Sequence, residues 1–87
     1  MVKILHIIKK INDTYAWQTA SRQRRNEGNR VIILLLQDGV FNPIQGDMEV
    51  FACQDDVAAR GVRTKASLVG YEEIVGMLLD ADSVVCW

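Results

Sequence analysis

The chain has one histidine, one proline and two cysteines, and each scarcity removes a class of function. One histidine and no C-x-x-C pair leave a zinc site without its ordinary ligands, so neither a metal nor another cofactor is expected. Cys53 and Cys86 are too few to staple a secreted scaffold; reduced thiols in the cytoplasm are the expectation. The longest unbroken apolar run, Val31–Leu36, falls far short of the roughly 20 residues that cross a bilayer. The opening MVKILHIIKK lacks a long apolar stretch followed by small residues, so no signal peptide and no membrane partner are expected. Also missing are G-x-x-x-x-G-K-[ST], G-x-G-x-x-G and G-x-S-x-G, which removes the usual supports for nucleotide binding and serine hydrolysis.

What is present reads as one domain over residues 1–87, with 49% hydrophobic and 24% charged residues and no linker or repeat. A chain this short buries a modest core, so partner subunits are expected to share in its stability. Its net charge of −1 hides an asymmetry. Residues 1–30 hold Lys3, Lys9, Lys10, Arg22, Arg24, Arg25 and Arg30 against Asp13 and Glu27, a balance of +5. Residues 31–87 hold three cations against nine acids, a balance of −6. Surfaces of opposite sign suit head-to-tail contacts between subunits or a basic patch for nucleic acid; the plainer alternative is two solvated faces. Arg22, Arg24 and Arg25 lack the stacking aromatics of a single-strand platform, so direct RNA binding is not expected.

Along the chain, strand and helix signals alternate. VKILHIIK (2–9) is short and isoleucine-rich, which favours a strand. Its alternation sets His6 on one face with Val2, Ile4 and Ile8, as a hydrogen-bonded core or interface group and not a base. Asn12 and Asp13 offer caps for a helix to about Glu27, stopped at Gly28-Asn29. RVIILLLQ (30–37) has the continuous apolar character of a central parallel strand, closed by a tight turn at Gln37-Asp38-Gly39. A loop over 41–47 leads to a strand at 48–53 and a short helix at 55–60, capped by an aspartate and stopped by Gly61. A strand at 66–69 precedes a helix at 71–81 with Ile74, Val75, Leu78 and Leu79 on one face, and SVVCW (83–87) forms a last strand. The class is α/β: a small three-layer parallel-sheet sandwich with helices on both faces. Ligand sites of such sheets lie beyond the carboxyl ends of the strands, here at Lys9-Lys10, Gln37-Asp38-Gly39 and Cys53-Gln54-Asp55.

Five stretches together carry a family resemblance: LH near the start, LLLQDGVF (34–41), VFACQDDVAARGV (50–62), GYEEIV (70–75) and Trp87. In this order and over nearly the whole chain, they resemble the TusB/DsrH family of the DsrE-like sulfur-relay superfamily. The resemblance implies a DsrE-like fold and a small subunit of a cytoplasmic TusBCD- or DsrEFH-like complex. Such complexes pass persulfide sulfur between proteins, for 2-thiolation of the tRNA wobble uridine or for sulfur oxidation. Implied partners are DsrE/TusD-like and DsrF/TusC-like subunits, or further copies of the chain, with sulfur donor and acceptor proteins. The implied role is an accessory subunit or sulfur carrier and not a turnover enzyme. Cys53 stands eight residues before Gly61, the place where DsrE/TusD-type carriers hold their cysteine relative to an Arg-Gly. The first helix, where DsrH proteins can carry one, has no cysteine.

Cys53 is therefore the candidate persulfide carrier. Backbone N–H groups and the helix dipole at a strand end favour its thiolate, whereas Asp55 and Asp56 oppose it. Small buried packing is the competing role for Cys53, and the expected role for Cys86. Arg60 suits either an anion or the last carbonyls of its helix. Gln37, Asp38 and Gly39 are candidates for subunit contact on the resemblance, and the acidic Asp55 and Asp56 for the loop beside the cysteine. Trp17, Tyr71 and Trp87 read equally as interface anchors or core.

Overall fold

Six consecutive apolar residues need cover on both faces, and the fold supplies it. The protein is described from a computed structural model, which covers residues 2–87 apart from the side chains of Asn26 and Glu27. Five strands form one sheet: β1 (Lys3–Ile8), β2 (Arg30–Leu35), β3 (Glu49–Cys53), β4 (Ser67–Val69) and β5 (Ser83–Cys86). Their order is β4-β3-β2-β1-β5 and every pairing is parallel. The helices are α1 (Thr14–Glu27), α2 (Gln54–Arg60) and α3 (Tyr71–Asp80), with a 3₁₀ helix at Gln37–Phe41.

Crossovers between parallel strands are right-handed as a rule. Connections stepping one way along the sheet therefore share a face, and the return from β4 to β5 lands on the other. The two cores show this. Ile4, Ile8, Val31, Ile33, Leu35, Val50 and Ala52 pack with Ala16, Trp17 and Ala20 of α1 and Val57 of α2. Leu5, Ile7, Ile32 and Leu34 pack on the opposite face beneath Ile74 and Met77 of α3. Each fully buried aliphatic there contributes about 1.5–3 kcal/mol.

The carboxyl edge is locked by short-range contacts. Leu36 N donates to Ile8 O at 3.1 Å, which carries the chain from β2 over the end of β1. At Gly39 a Cβ would lie 1.9 Å from Ile8 O, so only glycine lets the 3₁₀ helix sit there. Asn42, 3% exposed, ties three segments together. Its Nδ2 donates to Lys10 O and Gly39 O, and its Oδ1 accepts from Asp13 N.

Four details depart from the sequence-based expectation. The turn at Gln37–Gly39 is a five-residue 3₁₀ helix, because Gly39 can press onto β1. α2 starts at Gln54, so Cys53 itself is the N-cap and both aspartates lie inside the first turn. α3 turns Ile74, Met77 and the following Ala81 towards the sheet and leaves Leu78 and Leu79 exposed. Cys86 is exposed rather than packed, at the end of the edge strand β5.

Candidate functional site

β3 delivers Cys53 to the carboxyl edge. Val50 and Ala52 are buried on one face of the strand, and Cys53, like Phe51 on the other face, is half-buried. Its backbone is extended, φ −64° and ψ 120°, as a residue before a helix must be. It makes no capping hydrogen bond through its side chain, so the thiol is uncommitted. Asp55 and Asp56 complement the positive end of α2, and Arg60 in the last turn complements the other end.

A charged clamp joins the 3₁₀ helix to α2. Gln37 holds a left-handed backbone with φ 53°, a conformation that costs a non-glycine residue on the order of 1–2 kcal/mol. Its N–H donates to Asp56 Oδ2 at 2.8 Å, which fixes that turn against α2. Arg60 Nε donates to Asp38 Oδ1 at 3.0 Å, and its Nη1 reaches Asp56 Oδ1 at 3.4 Å. Gln37, Asp38, Asp56 and Arg60 are thus brought together at the carboxyl edge of the sheet, where Cys53 leads into α2, with Gly39 seated on the end of β1. Asp56 arrives with its counter-charge on Arg60. Asp55 is exposed.

Tyr71 is 80% exposed and begins α3 two residues after Val69, the register partner of Cys53. Lys9 and Lys10 are exposed at the end of β1, two strands from β3 and therefore about 10 Å along the sheet. They share the edge with Cys53 but do not belong to its immediate surroundings.

Trp87 stands apart from Cys53, and with it lies a cluster that sequence reasoning missed. Its indole Nε1 donates to His6 Nδ1 at 2.9 Å. An indole can only donate, so His6 is the Nε2–H tautomer and gives that proton to Gln23 Oε1 at 2.6 Å. The two rings stack at 5.9 Å, and Tyr15 meets Trp87 edge-on at 5.5 Å. His6 is fully buried, and burial pushes its pKa below the ordinary 6.5 although the Gln23 hydrogen bond opposes this. Trp17 is core, 2% exposed, and its Nε1 has no partner among the described residues.

Two clefts, of about 390 and 280 Å³, are lined by Val40–Ile44 with Arg63–Lys65 and by Trp17, Gln18, Ser21, Arg25, Gln45 and Gly46. Neither includes Cys53. Among the described residues no group of three or more His, Cys, Asp or Glu side chains is placed to hold a metal, and no helix is long and apolar enough to cross a membrane.

No family model and no curated protein matches the chain. Its structure is similar to the crystal structure of the YchN protein from E. coli, with a TM-score of 0.83 at 18% identity over 100% of both chains. At that identity the likeness shows the fold: the chain has the DsrE-like α/β architecture, a parallel sheet between helical layers, that its sequence implied.

Proposed function

We propose that this chain is a small subunit of a cytoplasmic sulfur-relay complex of the TusBCD/DsrEFH kind. It supports persulfide transfer for 2-thiolation of the tRNA wobble uridine or for sulfur oxidation. Its partners on this reading are DsrE/TusD-like and DsrF/TusC-like subunits, with donor and acceptor proteins that deliver and collect the sulfur. The observation that carries the reading is the position of Cys53, a free thiol at the N-cap position of α2 on the carboxyl edge of a DsrE-like sheet. The TusB/DsrH-like motifs along the chain supply the subunit type.

A second reading is favoured by the spacing of Cys53 and Gly61: a self-contained homo-oligomeric carrier with the persulfide on Cys53. The chemistry is balanced without an external oxidant. The Cys53 thiolate attacks the terminal sulfur of a donor persulfide, and a new S–S bond forms on Cys53. The donor's own S–S bond breaks and the donor leaves as a thiolate. The acceptor repeats the exchange in the opposite sense.

Intact-mass analysis and peptide mapping after exposure to a persulfide donor test the carrier step. A gain of one sulfur on Cys53, lost in Cys53→Ser and kept in Cys86→Ser, is the expected result. No adduct under conditions that load a DsrE-type control would remove Cys53 as carrier. Failure to co-purify with DsrE-like subunits would remove the complex.

A further inference from the structure

Trp17 carries the one unmet hydrogen-bonding group of the described interior. The other buried polar side chains are served: His6 by Trp87 and Gln23, Asn42 by Lys10, Gly39 and Asp13. Among the described residues only the Trp17 indole Nε1, in a residue 2% exposed, is a buried side-chain donor without an acceptor. Such a group loses its water on folding and gains no bond in return. Native proteins therefore nearly always supply a partner, from the chain, a water or a ligand. Trp17 also lines the smaller of the two clefts, of about 280 Å³, between α1 and residues 45–46.

The rest of that cleft has the same bias. Trp17, Gln18, Ser21 and Arg25 follow one another along α1 at helical spacing, and Gln45 and Gly46 close the other side. Among the described residues Arg25 has no ion-pair partner. Nor do the Gln18, Ser21, Arg25 and Gln45 side chains make a hydrogen bond there. An indole and a guanidinium can only donate, and the two amides and the hydroxyl can turn a donor towards whatever enters. No carboxylate is among the lining residues. Asp47, next to Gly46, has a side chain 97% exposed and its Oδ2 3.5 Å from Arg24 Nη2, so the adjoining acid has its own cation. Fixed donors, one positive charge and no fixed acceptor select an anion rich in acceptors. The cleft falls below the roughly 300–1,000 Å³ of cofactor and drug-sized sites, so that anion is small.

We propose that this cleft is a binding site for a small oxyanion, held by the charge of Arg25, by the polar side chains beside it and by the Trp17 indole N–H. That N–H lies beneath the cleft surface, so engaging it takes a small outward shift of the rim. Gly46, with φ 66° and nothing within 4 Å of a Cβ, has room for one. A hydrogen bond from a sheltered indole to an anion is strong because charge assists it and little water competes. The chemistry selected is oxygen acceptors on a compact negative group, which a free tetrahedral oxyanion and a carboxylate both offer. Cys53 does not line this cleft, and the site does not rest on the sulfur-relay reading.

The test is proton–nitrogen correlation spectroscopy of the purified full chain, titrated with sodium sulfate, sodium phosphate or sodium acetate. Ionic strength is held constant with sodium chloride, so that general screening does not contribute. The Trp17 indole signal, assigned by sequential connectivity, is expected to move downfield and saturate, while that of Trp87 stays in place. Tighter binding of sulfate and phosphate identifies a free tetrahedral oxyanion as the ligand, and tighter binding of acetate identifies a carboxylate. Arg25→Gln should weaken binding at least about tenfold, the effect of losing a hydrogen bond between charged groups. Trp17→Phe, followed through the Gly46 amide, should lose a similar factor. Lys65→Gln removes the same charge outside the cleft and should leave affinity within about twofold. The backbone spectrum of each variant reports whether it is folded; Arg25 is exposed, so its variant keeps the test open even where Trp17→Phe does not fold. Shifts that fail to saturate by ~50 mM with all three anions would overturn the proposal. So would an equal loss in Lys65→Gln and Arg25→Gln, or a Trp17 indole signal that stays fixed while the anion binds.

Discussion

His6 shows how a single residue joins distant parts of this chain. It lies in β1, takes its proton acceptor from α1 and its hydrogen-bond donor from Trp87, a partner 81 residues away. Protonation at Nδ1 would set two N–H groups against each other in a buried site, so the neutral ring is the one the fold selects. Among the described residues no ionisable side chain is hydrogen-bonded to it. Tyr15 meets Trp87 edge-on, and the strand ends carry Lys3 and Arg30, which are paired with Asp80 and Glu49. With the folded pKa below 6.5, the unfolded chain takes up the proton first as pH falls. Stability from His6 is then complete above about pH 6.5 and is lost as pH drops through the window below it. Urea unfolding between pH 7.5 and 5 should show stability rising with pH, with a shallower slope in His6→Gln. Equal slopes in the two proteins would show that His6 does not titrate between the folded and unfolded states. Release of Trp87, followed by its fluorescence with Trp17→Phe in the background, should track the same window.

At the scale of elements, the decisive contact is the seating of the 3₁₀ helix on β1. Gly39 has ordinary negative φ, so its absence from the left-handed set means that space and not torsion requires glycine. A methyl group 1.9 Å from a backbone oxygen cannot be accommodated by side-chain movement. Gly39→Ala should therefore cost at least about 3 kcal/mol, the upper range for overpacking. Gly46→Ala makes the comparison clean. It has φ 66° and nothing within 4 Å of a Cβ, so only backbone strain of about 1 kcal/mol applies. Equal losses in urea midpoint would mean that the close approach to Ile8 is not what Gly39 serves. Such contacts were not legible in the sequence, whereas the elements they join were. VIILLL read as a buried central strand because nothing but two-sided cover suits it. Asp13 and Gly28 marked the limits of α1 through their capping chemistry. α2 was read one residue short because Asp55 is a better cap by type than cysteine, yet Cys53 takes the position. In α3 apolar residues occur on both sides, so periodicity groups Ile74, Val75, Leu78 and Leu79 but cannot choose between two stripes, and of these Ile74 is the one packed on the sheet core. The position of Cys53 followed from topology alone. The Arg60–Asp38–Asp56 clamp needed the tertiary fold, since the residues come from the end of β2 and both ends of α2.

The molecule as a whole is small, and its charge is divided between opposite faces. The division follows from the order of the elements. The basic first third of the sequence forms β1 and α1, while α3, laid on the other face by the return crossover, carries acids. A chain built this way keeps its net charge near zero yet presents two sticky faces, and the apolar centre of one lies open on α3. Leaving Leu79 in solvent gains nothing for the isolated fold; on the proposed reading of the chain as a subunit, its burial would come with assembly. Association that engages only the folded chain must then raise thermal stability by mass action. When the free concentration exceeds Kd a hundredfold, the gain is about 2.7 kcal/mol, which for a domain of this size moves Tm on the order of 10 °C. Tm of the wild type should therefore climb across a concentration series from below Kd upward. In Leu79→Lys the curve should be flat, with a low-concentration Tm close to that of the wild type because the replaced side chain is already 83% exposed. A variant whose Tm rises as steeply as the wild type would place the stabilising contact somewhere other than α3.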